Sequence, residues 1–214
     1  NVHNSPDPRE KYRETQVFGA YAFNEAAATV TAFFAPVVVS AAGGVGNLYL
    51  HTSNPIGATG DGIAMAYRVG TEILNAEYVQ FHPTVLFHRD VKRFLISEAL
   101  RGEGARLKNR NEEYFMERYS PDNGDLAPRD EVARAIYREM EQDDADYVSL
   151  DATKITELPV EKRFPAIFEK CLSLGIDMRD ELIPVVPAAH YFCGGVKVDL
   201  DGRTSITGLY AAGE

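Results

Sequence analysis

The sequence predicts a mixed chain of the α/β and α+β classes, in which a β-rich part is interrupted by an α+β insertion and then resumes. Short strand-like segments dominate residues 1–76, a more charged sequence with two amphipathic helices covers residues 77–191, and strand-like sequence returns over residues 192–214. With 214 residues, of which 45% are hydrophobic, the chain can bury a sizeable core as one large domain or as parts of two.

The β-rich part begins with a predicted hairpin through about residues 17–34, and the apolar run at residues 37–39 predicts a buried strand that ends at Gly43 and Gly44. Glycines at such a place let a ligand approach the backbone, but they also suit a tight turn without a ligand. In "GATGDGIAMAYRVG" we expect Asp61 to cap a helix whose first turns are small enough to pack against a backbone or a flat cofactor.

The insertion contains two predicted helices with a strand, "YVSLDAT", between them. "PRDEVARAIYREMEQ" has Pro128 in its first turn and an apolar face made of Val132, Ile136 and Met140. "FPAIFEKCLSLGI" should pack an apolar face that includes Leu172. After the insertion, "KVDLDGRTSITGLYAAG" predicts a hairpin with a two-residue turn at Asp201 and Gly202.

Charge and composition exclude several classes of partner. The net charge of -10 and the absence of a basic run argue against nucleic acid and against an anionic membrane surface. No apolar run approaches the ~20 residues that a bilayer-spanning helix needs. Cys171 and Cys193 do not form a disulfide framework, so a cytoplasmic location is the expectation. The chain starts without Met and stops directly after "GLYAAG", which suggests a piece of a longer protein.

Two histidines and a short polar segment are candidates for binding or proton transfer. His82 follows Gln80 in "VQFHPTVLF", and His190 lies in "IPVVPAAHYFCGG", where proline and glycine restrain the backbone. Each also fits a core histidine whose ring is bonded to a backbone carbonyl. Ser97, Glu98 and Arg101 in "LISEALRGEGARL" could line a polar pocket, although the same composition suits an ordinary helix-to-turn transition with Glu and Arg paired.

Arg129 follows Pro128 at the start of the helix predicted in "PRDEVARAIYREMEQ", where it could be an ordinary surface charge or a cation of an active site. We predict no metal site, because His82, His190 and Glu98 are not accompanied by any HxxxH, HxH or CxxC spacing. A serine hydrolase is also disfavoured, since the chain has no GxSxG motif.

Six motifs taken in order carry a family resemblance: "NPIGATGDGIAMAYRVG", "QFHPTVLF", "SEALRGEGARL", "LAPRDEVARAI", "VPAAHYFCGGVKVD" and "GLYAAGE". Together they resemble the flavoprotein family of L-aspartate oxidase and the flavoprotein subunits of succinate dehydrogenase and fumarate reductase, in the form typical of the aspartate oxidases. The resemblance implies part of an FAD-binding domain over residues 1–76, an α+β capping domain over residues 77–191, and a truncated return to the FAD-binding domain over residues 192–214. It also implies non-covalent FAD, whose binding needs segments outside this chain.

The resemblance assigns roles to individual residues. It implies that Arg129 is the catalytic proton donor or acceptor. Because an arginine alone is a poor acid or base, a carboxylate relay is needed, with Glu98 and Asp130 as candidates. The implied substrate-binding residues are His82, His190, Ser97, Glu98 and Gln80. The implied cofactor-binding residues are Asp61, Glu214, Gly43 and Gly44.

The implied reaction is the oxidation of L-aspartate to iminosuccinate, with electrons passed to oxygen or fumarate, as the first step of de novo NAD biosynthesis. Quinolinate synthase would then use the product. Two alternatives stay open: a fumarate reductase or succinate dehydrogenase flavoprotein subunit, and a non-catalytic isolated capping module. We expect the chain by itself to bind FAD poorly and to be inactive.

Overall fold

The computed structural model describes residue 7, residues 14–155 and residues 159–213. These form two compact units. The first unit contains the described residues up to 45, residues 57–78 and the described residues from 192 onward, and the second contains residues 46–56 and 79–191. No helix in the described part of the chain is long and apolar enough to cross a membrane.

The first unit consists of three pairs of short strands and one helix. The predicted hairpin is confirmed, since β1 (Gly19–Asn24) pairs antiparallel with β2 (Thr29–Phe34). The chain continues through β3 (Val38–Ser40), α1 (Asp61–Arg68) and β4 (Ile73–Leu74). The other strands of this unit follow later in the sequence: β9 (Gly195–Val196) pairs antiparallel with β4, and β10 (Leu209–Ala211) pairs parallel with β3.

Glycine permits two close backbone approaches in this unit. A Cβ atom added at Gly62, in the first turn of α1, would lie 2.5 Å from Cβ of Ala42, so α1 contacts the segment that follows β3. A Cβ atom at Gly194 would lie 2.2 Å from the carbonyl oxygen of Asn75. Neither distance can be tolerated by a real side chain, so these two contacts require glycine.

The start of α1 differs from the sequence prediction. The residue at the N-cap is Gly60, with φ +81°, and Asp61 is the first residue of the helix. The carboxylate of Asp61 accepts a hydrogen bond of 2.9 Å from Oγ1 of Thr59 and does not cap the helix. Asp61 still places a negative charge at the positive end of the helix dipole.

Two strand predictions in the first unit were also wrong in part. The strand after the hairpin is only half-buried, since Val39 is 59% exposed. The predicted hairpin at residues 201–202 is a tight turn closed by a bond of 3.0 Å from the Gly202 amide to the Asp199 carbonyl, and no described strand lies between β9 and this turn. The Asp199 carboxylate accepts local bonds from the amides of Asp201 and Arg203 at this turn, and the residues after the turn pair with β10 through an antiparallel bridge between Arg203 and Tyr210.

The second unit is built on a four-stranded sheet with the order β5, β8, β7, β6. These strands are β5 (Val79–Leu86), β6 (Arg106–Lys108), β7 (Val148–Asp151) and β8 (Ile183–Phe192). The pairs β6–β7 and β7–β8 are antiparallel. The helices are α2 (Ala99–Gly102), α3 (Met116–Tyr119), α4 (Arg129–Asp143), α5 (Val160–Arg163) and α6 (Pro165–Leu172).

The two helices predicted in the insertion are confirmed as α4 and α6. In α4, Val132 and Ile136 are completely buried, as their four-residue spacing predicts, and the helix contacts β5. In α6, Cys171 faces the core but Leu172 is 47% exposed, against the prediction. One position along a helix rotates a side chain by about 100°, so Leu172 points away from the core that Cys171 faces.

A buried carboxylate fixes the position of α4. Glu139 accepts hydrogen bonds of 2.9 Å from Asn109, 2.8 Å from Arg118 and 2.7 Å from Tyr119. Its side chain is 3% exposed, so these three donors replace nearly all of its hydration. The network joins α3 and α4 to the segment that follows β6, and it therefore holds the helix that begins at Arg129.

Candidate active site

Arg129 is held by two side chains from other parts of the second unit. Its Nε donates a hydrogen bond of 2.9 Å to Oε2 of Glu98, which directly precedes α2. Its Nη1 donates a bond of 2.9 Å to Oε1 of Gln80 in β5. The bond from Arg129 lowers the pKa of Glu98, so this carboxylate is ionised at neutral pH. Arg129 is therefore the centre of a polar cluster as well as the first residue of a helix.

The two candidate histidines are neighbours. His82 in β5 and His190 in β8 lie on adjacent strands, with ring centroids 5.3 Å apart and ring planes at 67°. His82 is 1% exposed, and burial lowers its pKa to about 3, with smaller contributions from Arg129 and the other cations nearby. The ring is neutral near pH 7. Its Nδ1 accepts a bond of 3.2 Å from the Thr84 amide, so the proton of the neutral ring is on Nε2.

His190 is held by the loop at residues 46–56, which also belongs to the second unit. Oγ of Ser53 is 2.6 Å from Nδ1 of His190, and Nδ2 of Asn54 donates a bond of 2.7 Å to the His190 carbonyl. Neither Ser53 nor Asn54 was predicted as a site residue. Because 136 or 137 residues separate them from His190, no local sequence pattern reveals these contacts.

A second arginine, from the same polar segment as Glu98, lies close enough to the cluster to affect its electrostatics. Arg101 is 2% exposed and follows Glu98 by three residues, a spacing that places both side chains on one side of a helical turn. Its Nη1 donates to the carbonyl oxygen of Asp125, and its Nε and Nη2 have no partner within the described part of the chain. Burial lowers the pKa of Arg101, and the Glu98 carboxylate opposes this shift.

Two other residues from the sequence analysis, Ser97 and Asp130, make bonds within their own helical segments. Oγ of Ser97 accepts a bond of 3.2 Å from the Ala99 amide and so stabilises the start of α2, next to Glu98. Asp130 accepts a bond of 2.7 Å from Arg134 on the exposed face of α4. Of the two carboxylates considered as a relay, Glu98 is the one that is hydrogen-bonded to Arg129.

The first unit contains a cleft of about 350 Å³ lined mainly by glycine and other small residues. Gly43, with φ +78°, is part of the lining, as is Gly44, and a Cβ atom at Gly43 would meet nothing within 4 Å. Asp61 is not among the lining residues, and Glu214 lies outside the described residues. The cleft has no charged side chain in its described lining, so it suits a flat, neutral ring lying against exposed backbone. These residues fit the ring system of the flavin that the resemblance implies.

Among the described residues, no three His, Cys, Asp or Glu side chains are grouped in a way that could hold a metal ion.

Sequence comparison finds several L-aspartate oxidases that are similar to this chain. The chain is 53% identical over 196 residues to an L-aspartate oxidase of Pseudomonas aeruginosa, covering 92% of this chain and 36% of that protein. It is 52% identical over 199 residues to an L-aspartate oxidase of Yersinia pestis, covering 93% of this chain and 37% of that protein. The chain thus spans little more than a third of the length of these relatives.

Solved structures with similar folds include a quinol-fumarate reductase with menaquinol molecules, with a TM-score of 0.82 and 35% identity over 92% of this chain and 37% of that chain. An open conformation of a flavocytochrome c3 fumarate reductase has a TM-score of 0.60 and 25% identity, over 94% of this chain and 44% of that chain.

The glycine-lined cleft and these similarities agree with a family match that extends over residues 9–214. The mixed α/β structure of both units is consistent with it. The chain therefore belongs to the FAD-binding domain family.

Proposed function

We propose that the full-length protein containing this chain is an FAD-dependent L-aspartate oxidase, which converts L-aspartate to iminosuccinate and passes the electrons to oxygen or fumarate. The observation that carries the proposal is the Arg129, Glu98 and Gln80 cluster next to a pair of imidazoles, in a chain 53% identical to an L-aspartate oxidase. In this proposal residues 77–191 are the capping domain and the remainder is part of the FAD-binding domain.

The substrate is a small dicarboxylate, so the site must supply positive charge and hydrogen-bond donors within a chain of net charge -10. Arg129 supplies the charge. His82 and His190 supply ring N–H groups for a carboxylate, and Gln80 orients the guanidinium through the bond to Nη1. Arg129 and the two imidazoles come from three separate elements, so they would contact the bound substrate from different directions and fix the orientation of the substrate.

Proton transfer is assigned to Arg129 together with Glu98. A guanidinium normally keeps its proton to above pH ~12, so it can exchange a proton with a substrate only if a nearby carboxylate takes part. Oε2 of Glu98, 2.9 Å from Nε of Arg129, is placed for this step. The charge of the buried Arg101, three residues after Glu98, also favours the ionised form of this carboxylate.

FAD, when bound, supplies the acceptor for the substrate hydride. Gly43 and Gly44 in the first unit are proposed to hold its ring system, because they expose backbone to the cleft. Asp61 and Glu214 stay proposed cofactor ligands of the full-length protein. We further propose a cytoplasmic location, because two cysteines far apart in the sequence do not suggest a disulfide framework, and quinolinate synthase as the enzyme that uses the product.

A second candidate is a fumarate reductase flavoprotein, favoured by the TM-score of 0.82 with quinol-fumarate reductase. The deciding experiment compares L-aspartate and succinate as electron donors for the purified, FAD-loaded full-length protein, by following product formation and flavin reduction. We expect oxidation of L-aspartate and little oxidation of succinate. Succinate oxidation without aspartate oxidation would instead support the fumarate reductase assignment.

A pair of carboxylate variants tests the roles in the site. Glu98→Gln removes the ionised partner of Arg129 and should lower kcat by about 10²–10⁴, the usual contribution of a general acid or base. Asp130→Asn is the matched control, because that carboxylate is bonded to Arg134 on an exposed face. We expect near-normal turnover in this control. Equal losses in both variants would contradict the role of Glu98.

The third alternative, a non-catalytic capping module, concerns residues 1–214 taken alone. Cooperative thermal unfolding of this segment without flavin, combined with no peroxide production from L-aspartate, would identify it as a stable module. Tight FAD binding and aspartate oxidation by the segment alone would contradict our expectation that it needs the rest of the protein.

A further inference from the structure

We infer that Ser53 is a positioning residue that holds the His190 imidazole in the tautomer with its proton on Nε2, ready to donate to a substrate carboxylate. Oγ of Ser53 lies 2.6 Å from Nδ1 of His190. The inference deepens the proposed function and rests on it for the identity of the substrate.

The direction of the Ser53–His190 bond follows from the acceptors around the serine hydroxyl. The other oxygen near Oγ of Ser53 is the Ala189 carbonyl, at 3.5 Å. That carbonyl already accepts a bond of 2.9 Å from the Thr52 hydroxyl and one of 3.0 Å from the Ser53 amide. A carbonyl oxygen has two lone pairs, so both are in use at shorter distances. The serine proton is therefore directed to Nδ1 of His190.

An imidazole that accepts at Nδ1 while neutral carries its proton on Nε2. His82 is in the same state, since its Nδ1 accepts from the Thr84 amide. The two neighbouring rings thus both present Nε2–H groups, which attract a carboxylate without adding a positive charge. A Nδ1–H tautomer at His190 would instead present a lone pair at Nε2 and repel the carboxylate.

The loop that carries Ser53 is anchored at several points, so the hydroxyl does not need to be ordered when substrate binds. Nδ2 of Asn47 donates to the carbonyls of Pro55 and Ile56, at 2.6 and 3.0 Å. The His51 carbonyl accepts from the Ala189 amide at 3.0 Å, which joins the loop to β8. A residue that orients a binding group is effective when its own position is fixed in this way.

The loop also fixes the backbone of His190 itself. Nδ2 of Asn54 bonds to the His190 carbonyl at 2.7 Å. Ser53 and Asn54, adjacent in sequence, therefore hold the ring and the main chain of the same histidine. The pair specifies both the position and the tautomer of His190.

The test uses the FAD-loaded full-length protein with three variants. Ser53→Ala removes the hydroxyl, Ser53→Thr keeps it, and Ser173→Ala is a matched control, because Oγ of Ser173 is exposed and bonds only its own helix end at Lys170. We expect Ser53→Ala to raise KM for L-aspartate about tenfold, the effect of losing roughly one hydrogen bond, with a smaller change in kcat. Ser53→Thr and Ser173→Ala should stay within about twofold of the unsubstituted protein.

A direct readout of the tautomer does not depend on the substrate. Nitrogen-15 spectra of histidine-labelled protein, with the His190 signals assigned by their loss in His190→Gln, should show an unprotonated Nδ1 when Ser53 is present. In Ser53→Ala we expect protonated Nδ1 to appear. A protonated Nδ1 in the unsubstituted protein, or an unchanged spectrum and KM in Ser53→Ala, would overturn the inference. If L-aspartate is not oxidised at all, the proposed function fails while the spectra still decide the role of Ser53.

Discussion

Replacing Arg129 by lysine tests whether its charge or its geometry matters. The guanidinium uses two different nitrogens, Nε towards Glu98 and Nη1 towards Gln80, both at 2.9 Å. A lysine has one nitrogen on a flexible chain, so it keeps the positive charge but cannot make both bonds in the same geometry.

The magnitude follows from the bonds that are lost. A hydrogen bond to a charged group contributes about 1.5–3 kcal/mol, and 1.4 kcal/mol corresponds to a tenfold change. Losing one bond gives a factor of roughly 10–150, and misplacing the proton-exchanging group adds to it. For Arg129→Lys we therefore expect kcat to fall at least about 100-fold, whereas KM should change less than about tenfold because the charge remains.

The assay is anaerobic single-turnover reduction of the flavin by L-aspartate, which isolates the chemical step, combined with steady-state rates. Arg134→Lys is the matched control, since Arg134 lies on the same helix, is 61% exposed and pairs with Asp130. It should react at a normal rate. Near-normal kcat in Arg129→Lys, with an intact unfolding temperature, would refute both the proton role and the need for the paired geometry.

Three further outcomes are expected. Because burial lowers the pKa of His82 from 6.5 to about 3, the unfolded chain takes up the proton first as pH falls. The free energy of unfolding should therefore decrease from pH 6.5 downward, by about 2 kcal/mol at pH 5. Chemical denaturation at pH 7.5 and at pH 5 should show a smaller loss of stability in His82→Gln than in the unsubstituted protein. Gly194→Ala places a Cβ atom 2.2 Å from the Asn75 carbonyl and should reduce bound flavin measured by absorbance, whereas Gly57→Ala, with nothing within 4 Å, should not. Burial raises the pKa of Cys171 to about 11, so mass spectrometry should find this thiol unmodified by iodoacetamide until the protein unfolds.

The elements that the sequence predicted well are those with a repeating pattern. The helix α4 was readable because Val132 and Ile136 recur at the helical period and Pro128 precedes them. Predictions at element ends were less accurate. Asp61 is of a residue type that often caps helices, but the N-cap residue of α1 is Gly60, whose backbone is left-handed. Residue types alone do not show which of two neighbouring residues will be the N-cap of a helix.

The sequence indicated several residues of the candidate site but not the hydrogen bonds between them. The family motifs indicated Arg129 and Glu98 separately, but the hydrogen bond between them depends on how α4 packs on the sheet. Ser53 had no signal at all, because its role arises only when the loop at residues 46–56 meets β8, whose His190 is 137 residues away. Long-range contacts of this kind come from tertiary packing, which a single sequence does not display.

Burial keeps the His82 imidazole neutral, and the arginines around it add to this effect. Arg101 is buried, Arg129 is partly buried, and both lower the pKa of His82. A protonated His82 would add a further charge in the same low-dielectric region, where like charges repel strongly. Confining the positive charge to arginine, which stays protonated, lets His82 act as a neutral N–H donor over the whole physiological pH range. Titration of His82 should therefore leave substrate binding unchanged between about pH 6 and 8, and a binding constant that weakens sharply as the pH rises through 6.5 in the unsubstituted protein but not in His82→Gln would show that a His82 cation carries part of the attraction.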